Sequence, residues 1–175
     1  MSEAFILIAE DDADDRFLLQ TAFEEKGYSD KLEFVENGME LIAYLDARQL
    51  INNNHYPKFI LLDLNMPKKD GREVLKELKQ HSLYKKIPII IFTTTKNENE
   101  IRRCYEMGAN TYVIKPASFN DLLNTIEQIR NYWLDTASIV VNLFDKLCSL
   151  NFPGHFFNNI LQIRHAGFYF RGRKM

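Results

Sequence analysis

Apolar positions fall into five short runs, separated by stretches whose apolar residues recur every three or four positions. The runs are 4–9 (AFILIA), 32–35 (LEFV), 59–64 (FILLDL), 89–93 (IIIFT) and 111–114 (TYVI). Each has the length and composition of a buried strand. Between them, Phe17, Leu18, Leu19, Ala22 and Phe23 predict a helix ending at Gly27. Leu41, Ile42, Tyr44 and Leu45 predict a second, after the Asn37-Gly38 turn. Asp70-Gly71 opens a third helix carrying Val74, Leu75 and Leu78. A fourth covers Asn97–Met107 and stops at Gly108. Ser118 caps a fifth that runs through Leu122, Ile126, Ile129 and Trp133.

Five alternating strand–helix units predict an α/β fold with helices on both faces of a parallel sheet. The expected form is a doubly wound five-stranded sheet of order 2-1-3-4-5 with a short C-terminal extension.

Charge divides the 175-residue chain unequally. From Ile139 to Met175 five Lys/Arg face one Asp, a net +4, which leaves -6 of the overall -2 on the preceding body. An acidic body argues against a general nucleic-acid binder. The cysteines, Cys104 and Cys148, show no metal-ligand spacing. No apolar run is long enough to span a bilayer, so a cytoplasmic location is the expectation.

In such a sheet, ligands bind beyond the carboxyl ends of the strands where the strand order reverses, here between the first and third strands. Those two strands end in Glu10, Asp11 and Asp12, and in Asp63 followed by Asn65. The fourth and fifth end in Thr93 and Lys115. Converging carboxylates without His or Cys suit a hard oxygen-liganded cation, Mg2+ more than Zn2+. A carboxylate nucleophile beside a lysine and a hydroxyl suits phosphoryl transfer.

The segments ILIAEDD, ILLDLNMPKKDG, PIIIFTTT and YVIKP, in this order, resemble the receiver domain of bacterial response regulators, the CheY-like superfamily, over residues 4–134. The resemblance implies Asp63 as phosphoacceptor. It implies Glu10 and Asp11 as Mg2+ ligands with Asp63, joined by the backbone carbonyl of Asn65. Thr93 becomes the switch hydroxyl, Lys115 the phosphoryl-contacting lysine and Tyr112 the switch aromatic. A cis peptide is implied between Lys115 and Pro116. The implied activity is a Mg2+-dependent self-phosphorylation from a sensor histidine kinase, followed by a change in the surface made by the fourth and fifth helices. The chain would not be an enzyme on external substrates. RQLINNNHYPKF, FTTTKNENEI and the final IRNYWL are similar to small single-domain regulators paired with phytochrome-type kinases. A phosphotransfer or target protein and a homodimer are further expected partners. A pseudo-receiver that binds partners without phosphorylation is the alternative. A Mg2+-dependent phosphatase would need a second acid two residues after Asp63, where Asn65 stands.

Several residues carry plainer expectations. Asp12 reads as an N-cap, and Asp14 and Asp15 as solvated first-turn acids. Cys104 reads as a packed thiol, His55 and His81 as loop and helix-end residues, and Thr94 and Thr95 as loop residues, Thr95 flanking the site. Residues 135–175 fall outside the receiver pattern. Val140, Leu143, Phe144, Leu147 and Leu150 form a helical stripe, and a second short helix is expected from Phe156 to Ile163. No helix-turn-helix spacing is present there. The basic aromatic end suits a packed extension, a membrane surface or a partner groove.

Overall fold

The computed structural model describes residues 5–50 and 56–139. The helices expected beyond residue 139, and His55, lie outside them. The strands are β1 (Phe5–Ala9), β2 (Lys31–Val35), β3 (Ile60–Leu62), β4 (Ile89–Thr93) and β5 (Thr111–Ile114). They form one parallel sheet in the order β2-β1-β3-β4-β5. The helices are α1 (Ala13–Glu25), α2 (Gly38–Leu50), α3 (Gly71–Gln80), α4 (Glu98–Glu106) and α5 (Phe119–Arg130).

Strand alternation sends side chains into two apolar layers. Phe5, Leu7, Ala9, Ile60, Leu62, Ile89 and Ile91 pack with Leu41 and Leu45 of α2, Val74, Leu75 and Leu78 of α3, and Cys104 of α4. Ile6, Ile8, Leu61, Ile90 and Phe92 pack with Leu19, Ala22 and Phe23 of α1 and Leu122, Ile126 and Ile129 of α5. At about 1.5–3 kcal/mol per buried large side chain, these layers fix the strand register. The central strands are wholly buried, whereas β2 and β5 lie at the edges and are partly exposed.

Two boundaries differ from the pattern by more than one residue. The third strand was expected to span 59–64, but the paired segment is Ile60–Leu62. Beyond it Leu64 accepts from the Gly71 amide at 3.0 Å, folding the chain back into α3. This return needs glycine: a Cβ on Gly71 would lie 2.0 Å from the Asp63 carbonyl oxygen. The fifth helix ends at Arg130 instead of running to Trp133, and a π-helical turn follows at Asn131–Thr136. Trp133 and Leu134 still pack on the α1/α5 layer. Asp12 accepts from the amides of Asp14 and Asp15 and Ser118 caps α5, as expected; Asp70 opens α3 through a capping box with Glu73, and Asn97, expected inside the fourth helix, is its N-cap instead.

Candidate functional site

Backbone hydrogen bonds carry the ladder past the strand ends and set the site residues side by side. The Glu10 amide donates to Val35 O at 3.0 Å, that of Asp63 to Ala9 O at 3.0 Å, and that of Lys115 to Thr93 O at 2.8 Å. Glu10, Asp11 and Asp63 thereby offer carboxylate oxygens that all lie within 4.8 Å of one another. Glu10 and Asp63 are buried, and Asp11 is exposed. Half-buried Arg16, in α1, shapes this acid loop: it donates to the carbonyls of Glu10 and Asp11 at 3.0 and 2.8 Å and pairs with Glu36 at 3.1 Å.

Lys115 lies at the centre. Its ammonium, only 9% exposed at the side chain, meets Glu10 Oε2 at 2.6 Å, Asp15 Oδ2 at 2.7 Å and Asp63 Oδ2 at 2.9 Å. Burial disfavours the ammonium, but the three carboxylates outweigh it, and its pKa stands above the ordinary value. Burial also pushes the Glu10 carboxyl up to about 7, against the lowering effect of Lys115. A carboxylate so placed gains from a second positive charge.

Thr93, at the end of β4, is completely buried, and its Oγ1 has no hydrogen-bond partner. A buried hydroxyl in that state costs about 1–3 kcal/mol, so it marks a place where an acceptor is missing. Tyr112 is half-buried against the α2–α4 layer, donates to the Thr95 carbonyl at 3.0 Å, and has its phenol pushed by burial up to about 12. Asn65 donates its amide to Asp63 Oδ1 at 3.2 Å and its side chain to Thr95 Oγ1 at 3.5 Å. The Lys115–Pro116 peptide is trans, contrary to the cis bond the resemblance implied. Trans is the lower-energy isomer of an X–Pro bond by about 0.5–1 kcal/mol, and Lys115 reaches its three acceptors without inversion.

Of the residues singled out from sequence, Glu10, Asp11, Asp63, Asn65 and Lys115 come together, Thr93 ends the neighbouring strand β4 without a side-chain partner, and Tyr112 reaches Thr95 instead; two further residues enter the picture. Asp15 is a partly exposed first-turn acid as expected, but it is also a partner of Lys115, which the sequence reading did not assign. The available signal was slight: once Asp12 caps α1, Asp15 sits in its first turn, just beyond the acid loop. Arg72 is the second addition. It pairs with Glu100 at 2.6 Å, tying α3 to α4, and its other end lies 3.4 Å from Leu64 O. Nothing in the spacing of Arg72 pointed to either contact. Cys104 is a fully buried thiol, raised by burial to about 11, and His81 accepts from the amides of Leu83 and Tyr84 in the turn after α3.

The donor set fits a hard divalent cation: three carboxylates, no nitrogen or sulfur ligand, and an excess of negative charge that Lys115 alone does not balance.

Comparison with known proteins agrees with this fold. The family model for the response regulator receiver domain matches residues 6–127. A probable methanogenesis regulatory protein, FilR2 of Methanothrix harundinacea, is 37% identical over 74% of this chain and 83% of its own. Response regulator Rcp1 of Synechocystis is 37% identical over 77% of this chain and 91% of its own. The Mn2+-bound structure of Rcp1 matches with a TM-score of 0.69, covering 78% of this chain and 98% of that one. The structure of the phosphorylated cyanobacterial phytochrome response regulator RcpA matches at TM-score 0.72 and 37% identity, over 79% and 99% of the two chains. The chain belongs to the response regulator receiver domain family.

Proposed function

We propose that this chain is a phosphoryl-accepting switch of a two-component system, with a receiver over residues 4–134 and an appended segment over 135–175. Asp63 is the nucleophile. One of its carboxylate oxygens bonds to the phosphorus of a phosphohistidine on a sensor kinase as the P–N bond breaks, and the departing imidazole keeps the electron pair and takes up a proton. Glu10, Asp11, Asp63 and the Asn65 carbonyl would hold Mg2+, which when bound neutralises charge on the transferring group. Lys115 supplies a further positive charge, and Thr93 a hydroxyl donor for the phosphoryl oxygens.

The unpartnered Thr93 hydroxyl carries this reading. It is buried, it ends the strand next to that of Asp63, and it lacks the acceptor that a phosphoryl oxygen provides. Its engagement, with Tyr112 released from Thr95, gives a route by which new charge repacks the α4–β5–α5 surface. The Mn2+-bound form of Rcp1 supports a divalent cation, and the phytochrome regulator RcpA supports a phytochrome-type kinase as partner.

The test is intact-mass analysis after incubation with a small phosphodonor, with Mg2+ or with chelator, for wild type and Asp63→Asn. One phosphoryl adduct is expected in wild type with Mg2+ alone. A folded, Mg2+-saturated wild type that stays unmodified would favour the pseudo-receiver.

A further inference from the structure

An ammonium has three N–H donors, and Lys115 has committed all three: to Glu10, Asp63 and Asp15. The three acceptors are not equivalent. Glu10 and Asp63 belong to the carboxylate set that can hold a cation, and Asp63 is also the nucleophile. Their oxygens are therefore called on twice. Asp15 stands outside that set, in the first turn of α1, with its side chain 38% exposed. It is free to keep Lys115 when the other two acceptors are drawn to the metal.

We propose that Asp15 is a positioning residue: it anchors the Lys115 ammonium beside Asp63 through metal loading and phosphoryl transfer, leaving the other two N–H groups for phosphoryl oxygens. This rests on the phosphoryl-accepting reading above. The pair spans from the start of α1 to the end of β5, so it fixes a long, flexible side chain that otherwise samples many rotamers. Its Nζ lies 2.9 Å from the reacting carboxylate, and Asp15, outside the metal set, supplies the contact that holds it there as the other two acceptors are drawn away.

Two measurements test the assignment on the full chain. In the first, metal-free and Mg2+-saturated protein are treated with an amine-acylating reagent, and modification of the Lys115 peptide is quantified by mass spectrometry. Mg2+ is expected to change Lys115 labelling by less than about twofold in wild type and Asp15→Glu, and to raise it about fivefold in Asp15→Asn. In the second, initial rates of adduct formation are compared at saturating Mg2+. Asp15→Asn is expected to slow the reaction about threefold to tenfold, Asp15→Glu to recover most of the rate, and Asp15→Asn to add nothing in a Lys115→Ala background. Thermal unfolding of each variant checks that the fold is intact.

An Asp15→Asn protein as fast as wild type or faster, or one equally slowed without Lys115, overturns the proposal. So does Lys115 labelling that ignores Asp15. A wild type that forms no adduct sinks the phosphoryl-accepting reading instead, and the labelling result still judges the Asp15–Lys115 pair.

Discussion

The two ends of the sheet treat a half-buried lysine in opposite ways. At the amino ends of β4 and β5, Lys79 donates to Ile87 O at 3.0 Å, to Asn110 Oδ1 at 2.9 Å and, weakly, to Lys85 O at 3.4 Å. Asn110 Oδ1 also accepts from the Ile89 amide at 2.9 Å. All these acceptors are neutral, and each of these donors is matched. At the carboxyl ends, Lys115 faces three carboxylates, Asp11 adds a fourth acid nearby, and the Thr93 hydroxyl is left unpartnered. One end is built for satisfaction, and the other holds unmet polar demand. Such demand costs stability, and it persists where a ligand is to meet it.

The sharpest way to break the contrast is to remove the nucleophile. Asp63→Asn is expected to abolish the Mg2+-dependent adduct altogether, read by intact mass. An adduct of undiminished yield would place the acceptor elsewhere and leave the carboxyl-end cluster without its reason. Next in size is the amino end. Asn110→Ala strips one acceptor from two donors, the Lys79 ammonium and the Ile89 amide, and is expected to cost about 2 kcal/mol of stability. Urea unfolding should show a lower midpoint at unchanged slope, with the adduct yield at saturating Mg2+ unaltered. A change in yield would mean the two ends are coupled through β4.

Thr93→Val sharpens the comparison from the other side. Valine nearly matches the shape of threonine, so the change removes an unsatisfied hydroxyl without opening a cavity. Stability is expected to rise by about 1 kcal/mol, while adduct formation slows. Loss of stability instead would show that the hydroxyl already has a partner, and with it would go the observation that carries the proposed function.

The fold was legible because its signals are local. Five apolar runs at strand length, Asp12, Asp70, Asn97 and Ser118 at helix starts, and Gly108 after α4 all lie where the structure uses them. Glu10, Asp63, Thr93 and Lys115 were legible because strand ends converge in this topology by necessity. What escaped depends on side-chain reach across the fold. Asp15 and Lys115 are separated by 100 positions, and no local pattern says which first-turn acid of α1 turns toward β5. Arg72 and Glu100 are likewise on different helices. The cis peptide expected before Pro116 rested on resemblance alone, and the structure has that bond trans. The π-helical turn after Arg130 also has no sequence mark, since Trp133 and Leu134 fit the helical stripe equally well.

The smallest expected effect tests how complete the amino-end satisfaction is. Burial pulls the Lys79 ammonium from 10.5 down to about 8, while an unfolded chain returns it to about 10.4. Below about pH 8 both states hold the proton, and the cost of burying the charge is fully present. Between about 8 and 10.5 the unfolded chain binds more protons, so folding stability gains as pH rises, and above that window the cost is gone. Tyrosines act in the opposite sense at high pH: Tyr84 and Tyr112 have phenols raised by burial, so their contribution is lost as they ionise. The useful quantity is therefore the stability difference between wild type and Lys79→Met, followed by urea unfolding from about pH 7.5 to 10.5. It should move in favour of wild type by about 1 kcal/mol, after allowance for solvent screening. A flat difference would mean that three neutral acceptors hold the ammonium as well as water does. The contrast with Lys115 would then be one of function alone, with no residual electrostatic cost at the amino end.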